Sequence, residues 1–586
     1  MTNIPVNRQP LRSWLRLTQS VNEPRQSRHW LILLALCCAT FIVGLSGPAL
    51  TDSDEAFYAE SAREMIDRSD WLTPYFNGVT RFEKPVLYYW MAAFSYTVAG
   101  ISTWAARLPS ALAGMGLVFV AYIAARRWYD DTTAFYAGLI VATSFGSIAM
   151  AHQALPDLPL ALFISVAVWG AYVGLLSNPS SKAPAASRKP WLIVSAVGAA
   201  CAFLVKGPVG IALLLSVLLP LSAIEWVFFK RVWQVRLTDI AIATTVGLAI
   251  TVPWYLAMTM EHGVAYLERF FITENLERFA TTRYNAPRPM WYYGPIVIGG
   301  LLPWSLFSPL CIRQLLSRRT TWQPDIPTLR IGLWALMPLI FYSFSIGKQP
   351  RYVLPVLIPL SIFLAHGIVS ALRDPTSKAR SFGISCLACG CTMLAIAALI
   401  YRAQPLLVST APTILLASTI ALGLSGLLIS AAALSYIRTR SRSWGQTSVV
   451  LIVMSVVVLN LAAHHGVLAS NGNSEVQQMA AMIRAERTNN EPYGRHRVFN
   501  RNLVYYVQSP HVELPVIRAV RDFLRSPDRV FCVLRKEDAT MLAQDGVAFR
   551  ELGALRYFNT GSLTLRMLLN PNADRYLSHV VLISNQ

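Results

Sequence analysis

Apolar stretches recur along most of this chain, and they constrain its fold more than any other feature. Each approaches the ~20 residues that an α-helix needs to cross the hydrocarbon core of a bilayer. We count 13 such stretches, at residues 30–50, 104–125, 132–150, 158–176, 191–205, 209–229, 240–260, 292–312, 331–346, 352–372, 382–401, 414–437 and 448–464. The chain of 586 residues is 54% hydrophobic and only 14% charged, which is typical of a polytopic membrane protein.

The apolar stretches end near residue 465, which divides the chain into three parts. Residues 1–29 form a basic arm, residues 30–465 a membrane domain and residues 466–586 a soluble domain. In the soluble domain, VFCVL at 530–534 and VVLIS at 580–584 are strand-like, and KEDATMLAQ after the first is helix-like. We therefore predict an α-helical polytopic membrane protein, with about 13 transmembrane helices and a C-terminal extracytoplasmic α/β domain.

Charge and cysteine content exclude two classes of protein. The net charge of +20 suggests nucleic acid binding, but most of the excess lies in short loops between apolar stretches, where membrane topology is the usual cause. Seven of the eight cysteines lie in or at the edge of apolar stretches, so no disulfide framework is expected. The chain is therefore expected neither to bind nucleic acid nor to depend on disulfides.

The apolar run at residues 85–101 decides the orientation in the membrane. If this run does not cross, all the basic loops fall on the side of the basic arm, as the positive-inside rule requires. The arm contributes Arg8, Arg12, Arg16, Arg25 and Arg28, and the basic loops lie at 126–127, 182–189, 230–236, 313–319, 373–380 and 438–442. We therefore place run 85–101 at the outer interface of a bacterial inner membrane, with a cytoplasmic N-terminus and a periplasmic C-terminal domain.

This topology gathers ionisable residues from separate stretches on the outer face. The external loop 51–103 opens with TDSDEAFYAESAREM, which contains an amphipathic segment at 53–67, and continues to RFEKP at 81–85. Later external turns contribute Asp157, Lys206, Lys348 and Arg351, and a third external segment spans 261–291. Each cation alone could extend from the end of a span to water, but together beside hydrocarbon they imply a shared wet site.

These residue types point to the chemistry of an activated, lipid-carried substrate. Lys and Arg bind phosphate groups, and Asp or Glu can deprotonate a hydroxyl or stabilise positive charge on a sugar. The periplasm supplies no nucleoside triphosphate, so a lipid-linked donor is expected. A transporter of lipid-linked glycans and a non-catalytic scaffold of envelope assembly are the alternatives, although transporters place charged sites near mid-span.

Residues 51–90, TDSDEAFYAESAREMIDRSDWLTPYFNGVTRFEKPVLYYW, carry a specific resemblance. Their order of acidic pair, Y-A-E, R-E-M, D-W, F-N-G and E-K-P resembles the polyprenyl-phosphate-sugar transferases, the bacterial aminoarabinose transferases acting on lipid A and relatives of protein O-mannosyltransferases. Later landmarks extend the resemblance to about residue 372: WAARLPSALAG, LPDLPLALF, FLVKGPVG, ENLERF, LLPW and GKQPRYVLPVLIPLS.

The resemblance implies a GT-C fold and assigns roles to residues of the outer face. Asp54 is the expected main catalytic carboxylate with Glu55 beside it, and Asp157 resembles the second external acid, which orients sugar or acceptor. Because adjacent helical residues point ~100° apart, Asp54 and Glu55 are not expected to face one cavity. The expected donor-phosphate-binding residues are Lys84, Lys206, Arg278, Lys348 and Arg351. The expected substrate-orienting residues are Glu83, Tyr58, Asn275 and Tyr352.

The expected reaction moves a sugar, with inversion, from an undecaprenyl-phosphate carrier to a periplasmic acceptor, which is lipid A, a glycan or a protein. The partners are this donor, the lipid or protein acceptor and the membrane, and no cofactor is required. A divalent metal held by Glu83 and His262 is a weak alternative. One departure stands out, because Phe57 occupies the Arg position of the D-E-x-R-Y pattern common in aminoarabinose transferases.

Overall fold

The structure is a computed structural model that describes residues 23–175, 188–229, 236–282, 287–317, 326–406, 412–467, 474–557 and 564–586. Most of these residues are helical, and a small mixed sheet lies near the C-terminus. Part of the basic arm (Arg8, Arg12 and Arg16) and basic residues at 182, 230–231 and 318–319 lie outside the described ranges.

Ten of the described helical segments are long and apolar enough to cross a membrane. They are Thr103–Trp128, Asp157–Leu175, Lys189–Lys206, Val209–Phe229, Leu237–His262, Ile326–Phe344, Leu357–Arg373 with the preceding 3-10 turn Pro350–Val356, Pro375–Arg402, Pro412–Thr439 and Arg442–Leu461. Two bent pairs raise the number to 12 if each is one span: Asp131–Ala142 with Phe145–Ala151, and Met290–Gly300 with Trp304–Leu316. The first helix, Glu23–Cys37, is shorter and continues into the π turn Cys38–Ile42. The polytopic helical fold is confirmed, with slightly fewer clear spans than the 13 expected.

The two bent pairs break at the same place in the molecule. Thr143 and Ser144 turn their hydroxyls back to carbonyls four residues earlier, which competes with the regular helix. The freed groups find partners in the other break, since Phe145 N donates a 3.0 Å hydrogen bond to Leu302 O and Trp304 Nε1 a 2.9 Å bond to Thr143 Oγ1. Each interruption therefore satisfies the polar groups that the other exposes.

The outer loop is built from two helices and a hairpin. The helix Asp54–Arg68 matches the amphipathic segment expected at 53–67, and the hairpin pairs β1 (Tyr75–Phe76) with β2 (Val79–Thr80). The helix Leu87–Ala99 has 13 residues, about 20 Å of length against the ~30 Å of a bilayer core. The helix in run 85–101 is thus too short to span the bilayer core, and the topology that rests on it stays a prediction.

A second external-type segment follows the helix Leu237–His262. It consists of the short helix Val264–Glu268, the π turn Arg269–Glu277 and the short helix Arg278–Ala280. Its aromatic side chains, Tyr266 and Phe270, pack against those of the outer loop in one buried cluster. This packing brings the segment next to the hairpin and to the turn after Lys189–Lys206.

The C-terminal part is a five-stranded mixed sheet with helices. Its strands are β3 (Tyr493–Arg495), β4 (Val512–Glu513), β5 (Phe531–Arg535), β6 (Arg550–Tyr557) and β7 (Ser578–Ser584), in the order β4-β3-β5-β7-β6. Its helices are Glu475–Glu486, Leu503–Val507, Ile517–Leu524, Lys536–Gln544, Leu565–Leu569 and Ala573–Tyr576. The first three strands are parallel, and β7 is antiparallel to both of its neighbours. The expected α/β character is confirmed, and the domain boundary at residue 466 stays a prediction.

Candidate active site

Asp54 lies at the centre of a group of charged residues that come from separate segments of the chain. Its carboxylate pairs with the guanidinium of Arg351, and its Oδ1 accepts a 3.0 Å hydrogen bond from Nη1 of Arg501. Burial acts to raise the pKa of Asp54, but Arg351 and Arg501 outweigh it, so the pKa lies below its ordinary value. The carboxylate is therefore ionised at neutral pH, and with 36% of its side chain exposed it can be reached from outside.

Asp157 begins the helix Asp157–Leu175 and shares the same arginine. Arg351 Nε lies 3.2 Å from Asp157 Oδ2, and Lys206 Nζ donates a 2.5 Å hydrogen bond to Asp157 Oδ1. Lys206 Nζ also lies 4.4 Å from the ring centre of Tyr352. Arg351 thus bridges the carboxylates of Asp54 and Asp157, and residues expected from separate stretches form one network.

Lys84 joins the hairpin to the helix Leu87–Ala99 and forms a site of different character. Within the described ranges its ammonium group has no hydrogen-bond or ion-pair partner. Burial, together with the positive charges of Arg278 and Lys206, lowers the pKa of Lys84 to about 7. Cations grouped in this way are stabilised by a bound anion, so we name Lys84, Lys206 and Arg278 the cationic cluster, whose residue types suit a phosphate.

The π turn Arg269–Glu277 lies beside this cationic cluster, since Glu274 acts electrostatically on Lys84. Arg278 Nη2 donates a 2.9 Å hydrogen bond to Glu274 Oε2, and Asn275 Nδ2 donates a 2.7 Å hydrogen bond to the carbonyl of Phe270. Gly207 allows the close approach, because a Cβ at this position would lie 2.6 Å from Phe270 Cζ. Asn275 therefore lies next to Gly207, the residue after Lys206, and Arg278 lies near Lys84, while their roles at the phosphate stay predictions.

Glu55 points away from this network. Its side chain is fully buried, and its Oε1 accepts a 2.7 Å hydrogen bond from Arg107 Nε and a 3.1 Å bond from the amide of Ala154. The amide of Thr51 donates to Oε2. The structure thus replaces the expected catalytic position of Glu55 with a structural one, for the helical reason already given.

Lys348 also departs from its expected place among the phosphate-binding cations. Its ammonium donates to two backbone carbonyls, those of Arg288 at 3.1 Å and of Ser345. Lys348 therefore holds the turn that precedes Arg351, which is a structural use of its charge.

Tyr58 and Glu83 lie near the network without bonding to Asp54. The buried ring of Tyr58 packs 5.3 Å from that of Tyr88, and Glu83 Oε2 lies 3.6 Å from Arg81 Nε. His262 Nε2 lies 2.7 Å from the hydroxyl of Thr73. No group of three His, Cys, Asp or Glu side chains in the described ranges could hold a metal, and the weak metal prediction at Glu83 and His262 stays a prediction.

Sequence reasoning missed two arginines of the site. Arg81 lies with its guanidinium 4.0 Å from the ring centre of Phe57, and Arg501 lies 4.6 Å from the same ring. Arg81 was visible in RFEKP, next to the landmark that marked Lys84. Arg501 begins RNLVYYV in the C-terminal part, where no local pattern indicates a partner 447 residues away.

Sequence comparison relates the membrane region to known transferases. Residues 49–263 match the family Dolichyl-phosphate-mannose-protein mannosyltransferase. The undecaprenyl phosphate-alpha-4-amino-4-deoxy-L-arabinose arabinosyl transferase of Pseudomonas paraeruginosa is 35% identical over 378 residues, 64% of this chain and 65% of that protein. The protein of the same name from Shewanella sediminis is 33% identical over 332 residues, 56% of this chain and 57% of that protein. The chain thus aligns with less than two thirds of the length of these relatives.

Structural comparison extends over nearly the whole chain. The crystal structure of ArnT from Cupriavidus metallidurans bound to undecaprenyl phosphate matches with a TM-score of 0.73 at 22% identity, covering 95% of this chain and 98% of that one. The apo oligosaccharyltransferase of Archaeoglobus fulgidus matches with a TM-score of 0.51 at 11% identity, covering 90% and 69%. The chain is therefore a membrane-embedded protein with the fold seen in the ArnT structure, and part of it is similar in sequence to undecaprenyl phosphate-dependent arabinosyl transferases.

Proposed function

We propose that this protein is an integral-membrane glycosyltransferase that moves a sugar from an undecaprenyl phosphate carrier to an acceptor on the periplasmic side of a bacterial inner membrane. The observation that carries the proposal is one continuous network with two functions. The cationic cluster at Lys84 suits the carrier phosphate, and Lys206, Asp157 and Arg351 connect it to the ionised carboxylate of Asp54.

This arrangement can perform a direct displacement at the sugar. The acceptor oxygen forms a bond to the anomeric carbon while the bond from that carbon to the phosphate oxygen breaks, and its electron pair stays on the phosphate. Lys84, Lys206 and Arg278 stabilise the charge that builds on the departing phosphate. Asp54 accepts the proton of an acceptor hydroxyl, or orients an acceptor phosphate. A single displacement inverts the configuration of the anomeric carbon.

The remaining polar residues of the site orient the substrates. Asp157 is committed to Lys206 and Arg351, so it positions these two cations and is not available for proton transfer. Glu83, Tyr58, Asn275 and Tyr352 border the network and are proposed to contact the sugar or the acceptor.

The printed names of the relatives suggest which donor to test first. Both relatives described above are named as transferases of 4-amino-4-deoxy-L-arabinose from undecaprenyl phosphate, so we propose this pentose as the donor sugar and lipid A as the first acceptor. Phe57 marks where this chain differs from that pattern, so hexose donors belong in the same experiment.

The test uses the purified full-length protein in lipid vesicles with each synthetic undecaprenyl phosphate-linked sugar and lipid A. Mass spectrometry of the lipids should show a mass gain of one sugar. Asp54→Asn should reduce turnover at least about 100-fold, because the general base is lost. Asp67→Asn is the matched control, since Asp67 lies on the same helix, 48% exposed and paired with Arg63. Absence of transfer from every donor, or full turnover by Asp54→Asn, would refute the proposal.

A further inference from the structure

Arg501, which comes from the C-terminal sheet region, reaches the carboxylate at the centre of the candidate active site. We infer that Arg501 is a positioning residue of this site, which together with Arg351 holds the Asp54 carboxylate ionised and oriented. The inference rests on the proposed function, because the role of Asp54 does. With Arg501 in this role, the C-terminal region contributes a residue to the active site.

The loop that carries Arg501 has an unusual backbone. It follows strand β3, and two of its residues, Arg497 and Phe499, have φ angles of +57° and +46°. Residues other than glycine rarely adopt this left-handed backbone region. Their backbone is strained there, and the strain persists only where surrounding contacts impose it. The backbone is thus strained in the loop that approaches Asp54.

The contacts that impose this strain come from the outer loop itself. Asp52, two residues before Asp54, accepts a 2.9 Å hydrogen bond from the Asn500 amide and a 2.6 Å bond from the Arg501 amide. On the other side of the loop, Asn502 Nδ2 donates a 3.0 Å bond to the carbonyl of Leu50. The backbone at Arg501 is therefore fixed to the segment that carries Asp54, before any side chain contact is considered.

The C-terminal region supports the loop from behind. Arg495 on β3 donates a 2.7 Å hydrogen bond from Nη1 to Asn500 Oδ1, and further bonds to His511 and Glu513. Asn77 and His511 exchange two hydrogen bonds, from Asn77 Nδ2 at 3.0 Å and from the His511 amide at 2.9 Å, and so tie the hairpin to the sheet. The loop that carries Arg501 is thus fixed by hydrogen bonds from two sides, from the outer loop and from the C-terminal sheet.

Phe57 explains why a distant arginine is needed. Position 57 lies three residues after Asp54, on the same face of the helix, where an arginine could pair directly with the carboxylate. This chain has phenylalanine there, and the guanidinium of Arg501 lies 4.6 Å from its ring centre. The positive charge beside Asp54 is therefore supplied by the C-terminal loop instead of by the helix.

The charges around Asp54 make the inference measurable. Arg351 and Arg501 contact the carboxylate, Arg81 acts on it at longer range, and Asp157 shares Arg351. Tyr58 packs nearby as a neutral group. Removal of Arg501 takes away one of the three positive charges that favour the ionised form, so the pKa of Asp54 should rise. Activity should then be lost at a higher pH on acidification.

The experiment compares Arg501→Ala, Arg501→Lys and the double variant Phe57→Arg/Arg501→Ala in the vesicle transfer assay across pH. For Arg501→Ala we expect kcat to fall about 10- to 100-fold with the KM for the lipid-linked donor unchanged. The pH of half-maximal activity on the acid side should rise by about 0.5 to 1 unit. Arg501→Lys and the double variant should recover part of kcat and return the acid-side midpoint toward that of the unsubstituted protein.

The matched control is Arg497→Gln, which removes an exposed positive charge from the same loop. An equal effect of Arg497→Gln, or an Arg501→Ala variant with unchanged kcat and pH profile, would overturn the inference. Rescue by Phe57→Arg excludes simple misfolding of the loop as the cause. If the unsubstituted protein transfers no sugar, the proposed function fails, and carbodiimide labelling of Asp54 against pH, read by mass spectrometry, still tests Arg501. An unshifted labelling midpoint in Arg501→Ala would then overturn its role.

Discussion

Glu55 Oε1 accepts a 2.7 Å hydrogen bond from Arg107 Nε, and both side chains are buried although Asp54, the preceding residue, is partly exposed. Arg107 also donates to three backbone carbonyls, those of Leu45, Pro48 and Ala49. The pair thus joins the end of the first membrane segment to the start of the outer loop. Two adjacent carboxylates on one helix therefore have different surroundings, one among partly exposed arginines and one in a buried ion pair.

Removal of Glu55 should destabilise the protein without touching the reacting groups. Glu55→Ala leaves the Arg107 guanidinium buried without its counter-charge, which costs about 3–5 kcal/mol of unfolding free energy. The measurement is thermal unfolding of the purified protein in detergent, compared with that of Asp54→Asn. Asp54→Asn should unfold close to the unsubstituted protein and lose turnover. A Glu55→Ala variant of normal stability that has lost turnover would return Glu55 to a catalytic role.

Lys84 should make binding of the carrier depend on pH. Because its pKa is lowered to about 7, the ammonium is present below pH 7 and is lost as the pH rises. A bound phosphate restores the charge, so binding takes up a proton above pH 7. Affinity for undecaprenyl phosphate should therefore fall between pH 7 and 9, by up to about tenfold per unit. The phosphate, with a second pKa near 6, does not itself titrate in this range.

The control for this prediction is Lys84→Arg, measured by equilibrium binding of undecaprenyl phosphate to the protein in detergent. A guanidinium stays charged throughout this range, so the affinity of Lys84→Arg should be nearly independent of pH from 7 to 9. Lys84→Gln should bind weakly at every pH. A pH dependence that persists unchanged in Lys84→Arg would assign the titration to another group.

Asp157 and Lys206 should be strongly coupled. Both side chains are less than a tenth exposed and are joined by a 2.5 Å hydrogen bond. Removal of either charge therefore leaves the other buried without this partner. In a double-mutant cycle of Asp157→Asn and Lys206→Met, we expect a coupling of about 1–3 kcal/mol in unfolding free energy. The exposed pair Asp130 and Arg373 is the matched control, with an expected coupling below about 1 kcal/mol. Equal couplings in the two cycles would contradict a buried network.

Much of this arrangement follows from local sequence patterns. Apolar periodicity predicted the helix Asp54–Arg68 to within one residue at each end, and Lys536–Gln544 at both ends. The basic loops alone predicted that Asp157, Lys206 and Arg351 lie on one face, and the structure brings the three side chains into contact, while the side of the membrane stays a prediction. Each of these predictions depends on residues close together in sequence or on a simple count of membrane crossings.

The features that were missed depend on contacts between distant segments. The pair Asp54 and Arg501 joins positions 447 residues apart. The loop after β3 that carries Arg501 also contains two left-handed residues, and no local sequence pattern predicts either feature. The hydrogen bonds from the Lys348 ammonium to backbone carbonyls depend on how the turn around Lys348 folds. The two bent helix pairs are joined by the Trp304–Thr143 and Phe145–Leu302 hydrogen bonds, which could not be recognised in either stretch alone.

We predict that Gly207 controls how closely the π turn Arg269–Glu277 packs beside the cationic cluster. Its φ of +75° and the 2.6 Å distance between a built Cβ and Phe270 Cζ mean that Gly207→Ala adds both backbone strain and a collision. The buried Phe270 ring would have to move, and Asn275 and Arg278 with it. We expect the KM for the lipid-linked donor to rise several-fold, because these residues border the phosphate site.

Gly263→Ala separates the two effects of this substitution. Gly263 has nearly the same φ, +74°, but a Cβ there meets nothing within 4 Å among the described residues. Its substitution should therefore cost about 1–3 kcal/mol of stability from strain alone, because φ of 74° with ψ of 177° is a backbone region used almost only by glycine, and should leave the donor KM unchanged. Unfolding and donor KM are to be measured for both variants under the same conditions. If Gly207→Ala and Gly263→Ala change the donor KM equally, backbone strain and not the contact with Phe270 governs the π turn.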